Sequence, residues 1–386
     1  MTNSDGNPVV YLIGTCGYPN YGDELIVASW LRLLAKRLPN AEVWVDSARP
    51  GQSAVLLSHL HPNVRFVDSL YHACWNAPSE DPAAVIAFGE HVIAEPGLVP
   101  REATGIENLE HVDLVHVVGG SYINALWPRN LVLLSAAASM ARRFGTRTAL
   151  TGSSLTPLVE GSDEALTTML SDFDVVDVRD SASFDVLAPA VKQVTNTGDD
   201  VFLDLEPDLF DLQAKTKTLV AIQPDMLTVP LEQVADYVVR TLKDWGADQT
   251  PVTVLECLPP DDTAIVPLLE AQLPKVGVLP FSLMWRHGFP AAPRSRWITT
   301  RFHPHLMGAA SGAWGVVLPT GGDSLTTSGQ TLIDEGSGWT MAPDLETVVP
   351  SSRRTTGPFG GALPKLQADK RSVAEAVLDL VNAAND

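Results

Sequence analysis

The sequence is poor in basic residues for its length. It carries 26 Lys and Arg residues against 46 Asp and Glu residues over 386 positions, a net charge of −20. Nonspecific nucleic-acid binding needs a basic footprint, so this balance argues against a nucleic-acid partner. An anionic substrate would need a local basic pocket that acts against the field of the whole chain.

Cysteines and long apolar runs are also scarce. Cys16, Cys74 and Cys257 lie far apart, and no Cys/His spacing typical of a zinc site is present. This usage predicts a reducing, cytoplasmic compartment and no metal centre. The first residues show no basic signal-peptide region, and apolar stretches such as 131–141 are too short to span a bilayer. We therefore expect a soluble protein, which still allows contact with a membrane-anchored substrate.

Short apolar runs alternate with helical patterns along the chain, and apolar residues make up 45% of it. This alternation predicts parallel sheets built from βαβ units. The pattern restarts after a junction at 207–217, which indicates an α/β fold of two Rossmann-like domains facing a cleft. The predicted organisation is an N-terminal domain, a linker, a C-terminal domain and a terminal helix, over 1–206, 207–217, 218–368 and 369–386.

The first candidate segment, 17–24, follows a predicted strand and opens a helix. Such a loop places backbone N–H groups and the helix dipole at the edge of the sheet. Asp23 and Glu24 are also favoured in any first helical turn, so a tight turn with a helix cap is the alternative. The segment has neither the three-glycine dinucleotide spacing nor a Walker A lysine.

The second segment is Gly119-Gly120-Ser121, also at the end of a predicted strand. Glycines there let the backbone approach a ligand closely. Trp127 follows and is a candidate for stacking on a sugar ring, as are Tyr18 and Trp285. The alternative is a strand-to-helix turn with packed aromatic side chains.

The third segment places Arg179 directly after an apolar strand. Its planar guanidinium suits a carboxylate or phosphate in the cleft. A surface ion pair with Asp180 beside a helix cap is the alternative.

The fourth segment contains Arg301 and His303 on either side of Phe302. In an extended segment both side chains would point to one side. Arginine could hold an anion there while histidine transfers a proton. A metal site with His305 lacks a third ligand spacing, and structural histidines are the alternative reading.

These segments, in this order, resemble the polysaccharide pyruvyl transferase family. The similarity implies the GT-B fold and transfer of the enolpyruvyl unit of phosphoenolpyruvate to a sugar, which forms a cyclic ketal and releases phosphate. The implied acceptor belongs to a cell-envelope polysaccharide or glycolipid precursor, such as a lipid-linked oligosaccharide at the inner face of the membrane. No cofactor is implied, and the sequence carries no signal for an oligomeric state. The matching segments are 20–24, 119–121, 179–183, 199–202 and 301–303.

The resemblance also implies roles for individual residues. Arg179, Arg301 and His303 would serve the donor, with the C-terminal domain as the donor side. Because histidine can transfer a proton near neutral pH, His303 is the candidate general acid. Asp23 and Glu24 would be catalytic candidates on the acceptor side. The further implied substrate-binding residues are Tyr18, Asn20, Tyr21, Gly119, Gly120 and Ser121.

Two departures from the family pattern leave other functions open. Val118 stands where a third glycine is common, and no lysine lies between His303 and Gly338, where many members have one that contacts the donor. A nucleotide-sugar-dependent GT-B glycosyltransferase is one alternative, for which 321–324 is a weak diphosphate candidate. A non-catalytic carbohydrate-binding relative is the other.

Overall fold

The chain folds around two parallel β-sheets, each covered by helices. The structure is a computed structural model that describes residues 6–211, 218–293, 295–320, 322–351 and 358–383, with the side chains of 322–325 and 358 left out. Two compact units form, one from Met1–Tyr18, Asp23–Asp204 and Leu366–Asp386, the other from Pro19–Gly22 and Leu205–Lys365.

The first sheet has seven described strands in the order β3-β2-β1-β4-β5-β6-β7. Strands β1 and β4 pair in parallel and are buried over their whole length, as continuous apolar runs covered on both faces require. The strand order reverses between β1 and β4: β2 and β3 are added on one side of β1, and β4 to β7 on the other. In open α/β sheets, ligands bind at such a switch point. The strands are β1 (Val9–Ile13), β2 (Glu42–Asp46), β3 (Val64–Val67), β4 (Leu114–Val117), β5 (Arg147–Ser153), β6 (Val175–Val178) and β7 (Val194–Asn196).

Eight α-helices of the described chain accompany this sheet. Helix α1 has Asp23 and Glu24 in its first turn and Lys36 and Arg37 in its last, each sign matching the helix dipole. The helices are α1 (Tyr21–Arg37), α2 (Pro50–Leu57), α3 (Ser69–Trp75), α4 (Pro82–Ala94), α5 (Ala103–Glu107), α6 (Leu131–Phe144), α7 (Asp163–Ser171) and α8 (Ser181–Leu187).

The second sheet has six described strands, all parallel, in the order β10-β9-β8-β11-β12-β13. The strands are β8 (Thr218–Ala221), β9 (Val252–Leu255), β10 (Val276–Leu279), β11 (Arg296–Thr299), β12 (Trp314–Val317) and β13 (Thr340–Met341). The helices are α9 (Leu231–Asp244), α10 (Val266–Glu270), α11 (Phe281–His287), α12 (Phe302–Ala310) and α13 (Gly322–Asp334). A last helix, α14 (Leu363–Ala383), belongs from Leu366 onward to the first unit.

Two segments belong to a unit other than the one their position in the chain suggests. Pro19–Gly22 groups with the second unit, and the C-terminal residues from Leu366 group with the first. The terminal helix begins at Leu363, earlier than the predicted bound of 369. The predicted linker contains a 3-10 turn at Pro207–Leu209, and its remainder at 212–217 lies outside the described residues.

No helix of the described chain is long and apolar enough to cross a membrane. The longest, α14, is amphipathic: its buried residues recur at helical spacing and its other face carries charge.

Candidate functional site

The loop after β1 is held by a hydrogen bond to the side chain of Glu24, in the first turn of α1. Gly17 adopts a positive φ of 88°, and its N–H donates to Glu24 Oε1 at 2.7 Å. The Glu24 side chain is fully buried, and its Oε2 has no hydrogen-bond partner within the described chain. Burial therefore raises the pKa of Glu24 to about 8. A carboxyl group that stays protonated at neutral pH is poorly suited to act as a base, so the geometry favours a structural role for Glu24.

This burial makes the stability of the protein pH-dependent. The unfolded chain ionises Glu24 near its ordinary pKa, whereas the folded chain keeps the proton up to about pH 8. The folded state thus binds more protons across this window, so the unfolding free energy falls as pH rises. We expect Glu24→Gln, which mimics the protonated acid, to be more stable than wild type at pH 8. The gain in unfolding free energy is at most roughly 1.4 kcal/mol for each unit by which folding raises the pKa of Glu24.

Denaturant unfolding between pH 4.5 and 8.5 measures this effect. The matched control is Glu164→Gln, an exposed glutamate in the first turn of α7. The Glu24→Gln advantage should shrink toward pH 4.5, and the control should follow wild type throughout. A constant offset between Glu24→Gln and wild type at every pH would contradict the assignment.

The segment Pro19–Gly22 is held by the second unit. Tyr21 N–H donates to the Cys257 carbonyl at 2.9 Å. The Tyr21 ring packs against Phe281, Trp285 and Phe289 at centroid distances of 6.2, 5.9 and 5.2 Å. Tyr21 and Trp285, both candidate ligand contacts, therefore pack against each other.

Gly22 lies directly against His303. A Cβ atom built on Gly22 would overlap the His303 imidazole. The structure thus brings the first and fourth candidate segments together within one unit. Asn20 and Asp23, on either side in the chain, are both partly exposed.

Arg301 is the N-cap of helix α12, which begins at Phe302. The segment is therefore not extended through His303, and the arrangement in which an extended chain points both side chains to one side does not apply. Pro304 lies in the first helical turn, where its missing N–H has no intrahelical partner in any case, so the helix begins before it. His303 is therefore the second helical residue rather than an extended neighbour of Arg301.

The Arg301 guanidinium is buried and paired with Asp262. Asp262 Oδ2 also accepts from the N–H groups of Cys257 and Leu258, at 2.9 and 3.1 Å. Burial raises the pKa of Asp262 above its ordinary value, against the lowering effect of Arg301. Arg301 Nε makes no hydrogen bond within the described chain, so one buried N–H remains available to a ligand.

His305 is a structural histidine. Its Nε2 and Ser337 Oγ form a 2.8 Å hydrogen bond, and its ring stacks on Trp339 at 4.5 Å. Burial lowers the pKa of His305 to about 3, so the ring is neutral at physiological pH. The described residues contain no group of three or more His, Cys, Asp or Glu side chains placed to hold a metal ion.

Arg179 lies at the end of β6 and is nearly fully buried. Its Nη1 donates to Asp199 Oδ2 at 3.0 Å. The neighbouring Asp180 instead caps α8, since its Oδ1 accepts from Ser183 N–H at 2.8 Å. The helix cap of the predicted alternative is therefore present. The ion pair of Arg179, however, is buried and is made with Asp199 rather than with Asp180.

The Gly119-Gly120 turn is organised by Asp200. Gly119 N–H donates to Asp200 Oδ2 at 2.9 Å, and a Cβ at Gly119 would press on the same carboxylate. Trp30 Nε1 and Thr151 Oγ1 donate to the same oxygen at 2.8 and 2.7 Å. Gly120 has a φ of 136°, which favours glycine. Ser121 is partly exposed beyond this turn.

A fully buried lysine completes this cluster. Lys370 Nζ of α14 lies 2.5 Å from Asp177 Oδ2 and 3.1 Å from Asp200 Oδ1. Lys370 was not among the predicted site residues, although the sequence carries a signal for it. It falls at helical spacing from Val373, Ala374 and Val377, on the apolar face of its helix. Asp199 and Asp262 could not be assigned as arginine partners, because 20 and 39 residues separate the members of these pairs.

Comparison with known proteins identifies the family and the fold. A family model described as polysaccharide pyruvyl transferase matches residues 20–294, well over half of the chain, and ends before Arg301. A search of curated proteins gave no match.

Solved structures of similar fold include sugar-nucleotide enzymes. Anabaena Alr3699/HepE, solved with UDP and glucose, has a TM-score of 0.55 at 12% identity, over 98% of this chain and 100% of that one. The UDP-GlcNAc 2-epimerase of Neisseria meningitidis has a TM-score of 0.54 at 12% identity, over 96% and 100%. These likenesses show the fold alone: Rossmann-like α/β units of the GT-B type. The candidate diphosphate segment 321–324 lies outside the residues with described side chains.

Proposed function

Since the chain belongs to the polysaccharide pyruvyl transferase family, we propose that it transfers the enolpyruvyl unit of phosphoenolpyruvate to two hydroxyls of a sugar. The product is a cyclic pyruvate ketal, and phosphate is released. The acceptor is a sugar of a cell-envelope polysaccharide or glycolipid precursor. No metal or organic cofactor enters this scheme.

The contact between Gly22 and His303 carries the proposal. It places an imidazole against Gly22, where the absence of a side chain leaves room for the ring. The same imidazole lies in the first turn of α12, two residues after Arg301. A helix N-terminus attracts anions through its dipole and N–H groups, and Arg301 Nε offers one further buried donor. This arrangement suits a small anionic donor next to a proton-transfer group.

The donor is recognised through directed N–H groups rather than net positive charge. Arg301 is neutralised by Asp262 and Arg179 by Asp199. The Arg301 guanidinium keeps its buried Nε–H as a donor, and the Asp262 carboxylate fixes the direction of that N–H. Such a site discriminates the carboxylate and phosphate of phosphoenolpyruvate by geometry, even in a chain with a charge of −20.

The chemistry starts with proton transfer to the donor. His303, protonated beside the bound anion, delivers its proton to the methylene carbon, which makes C2 electrophilic. A sugar hydroxyl attacks C2 and loses its proton to Asp23, while Glu24 stays neutral in the loop. A second hydroxyl then displaces phosphate at C2, and its proton leaves with the phosphate or to His303. Two C–O bonds form, one C–O bond to phosphate breaks, and one C–H bond forms.

The test incubates the protein with phosphoenolpyruvate and a panel of sugar acceptors. Phosphate release is measured together with acceptor mass, which should rise by pyruvic acid less one water. His303→Ala should lower turnover by roughly 100- to 10,000-fold, the usual contribution of a general acid, while phosphoenolpyruvate still binds. The matched control, His287→Ala, removes an exposed histidine of α11 in the same unit.

Two outcomes would overturn the proposal. Near-normal phosphate release by His303→Ala would remove this residue from the mechanism. UDP release from a UDP-sugar in a parallel reaction, without turnover of phosphoenolpyruvate, would instead favour a nucleotide-sugar glycosyltransferase.

A further inference from the structure

Three exposed aromatic side chains lie at one edge of the first sheet. Tyr18, Trp75 and Trp127 are 52, 58 and 45% exposed. Tyr18 follows β1, Trp75 ends the helix after β3, and Trp127 follows β4. Carboxyl ends of parallel strands share one edge, which places Tyr18 and Trp127 on the same side of this unit. Trp75 is tied to that edge through His72, which stacks on it and lies 3.0 Å from the Ala48 carbonyl just after β2. Single exposed aromatics are ordinary, but three on one edge call for a partner.

Two of these rings are held in place by a neighbouring side chain. The Arg49 guanidinium carbon lies 3.9 Å from the centroid of the Tyr18 ring. The His72 ring stacks on Trp75 at 4.3 Å with an interplanar angle of 27°. Each ring is thus covered on one face and ordered, and the rest of its surface meets solvent. A ring ordered before binding loses little conformational entropy when a ligand stacks on it.

Arg49 and His72, the side chains that cover these two rings, are connected through the loop after β2. His72 is within 3.0 Å of the carbonyl of Ala48, the residue before Arg49. The N–H groups of Leu70 and Tyr71 donate to Asp46, the last residue of β2, and this seats α3 on the end of the sheet. Tyr18 and Trp75 are therefore linked through the β2–α2 connection.

Trp127 is anchored next to the same helix. The backbone N–H of Trp127 donates to the Asn124 carbonyl at 3.0 Å, and Asn130 Nδ2 donates to the Tyr122 carbonyl at 2.7 Å. The turn Pro128–Asn130 packs against α3, the helix that carries Trp75. Tyr18, Trp75 and Trp127 are called the aromatic edge below.

We propose that the aromatic edge binds the sugar rings of an oligosaccharide, which the proposed function identifies as the acceptor. Flat apolar rings with polar rims stack on the C–H faces of sugars, and Tyr and Trp supply this at low entropic cost. A net charge of −20 disfavours nucleic acid and anionic membrane surfaces as alternatives. Because several rings are spread along the edge, a chain of two or more sugars binds better than a monosaccharide.

The test measures binding without phosphoenolpyruvate. Saturation-transfer NMR and calorimetry use neutral mono- to tetrasaccharides of glucose, galactose, mannose and N-acetylhexosamines. Trp75→Ala and Tyr18→Ala should each weaken binding roughly 2- to 12-fold, the range for one aromatic contact. The control is Phe144→Ala, a 38% exposed ring at the end of α6, at the opposite edge of the sheet. It should bind as wild type does.

Each other outcome overturns the inference. These are an absence of wild-type binding to the whole panel, unchanged affinity in both variants, and equal affinity for mono- and oligosaccharides. The assay contains no donor, so its result is independent of the transfer reaction. Saccharide binding without phosphate release would remove the proposed function and keep the aromatic edge.

Discussion

Gly22→Ala is expected to abolish pyruvyl transfer while the protein remains folded. The added methyl group would overlap the His303 imidazole, and the flexible side chain of His303 is the group that can move. Displacement of a proton-transfer group by about 1 Å costs on the order of 100-fold in rate. Phosphate release should fall at least that far, and the His303 imidazole NMR signals should shift.

The matched control is Gly51→Ala. Gly51 lies in helix α2, and a Cβ there meets nothing within 4 Å. This variant should keep full activity and equal or slightly higher stability, because alanine favours a helix over glycine. Normal turnover by Gly22→Ala together with unshifted His303 signals would show that the close approach has no functional role.

The carboxyl ends of strands could be predicted from sequence, and with them the positions of the candidate segments. Strands β1, β4 and β6 are short, mostly apolar runs, and the predicted segments begin within a few residues of their ends. A buried parallel strand is mostly apolar on both faces, and the buried polar residues His116 and Asp177 are hydrogen-bonded within the sheet. This is why local sequence indicated the edge of each sheet correctly.

Long-range partners could not be predicted in the same way. Arg179 and Arg301 were both expected to face a ligand, but each is already paired with a carboxylate of its own unit. Nothing in the local sequence marks Asp199 or Asp262 as that partner, since the fold alone brings them together. The helical start at Phe302 was missed for a related reason: the residue before a proline disfavours helix in the interior, but not in the first turn.

Lys370→Met is expected to destabilise the first unit by about 3–5 kcal/mol, the cost of breaking a buried ion pair from one side. Asp177 and Asp200 would be left as buried carboxylates without their cation, although their other hydrogen bonds remain. Urea denaturation should show the shift, and Lys36→Met, an exposed lysine of α1, should change stability by less than about 0.5 kcal/mol. Faster amide exchange at Gly119, which donates to Asp200, would trace the effect to the Gly119-Gly120 turn. Wild-type stability in Lys370→Met would show that the two ion pairs make no net contribution and that α14 is held by its apolar face alone.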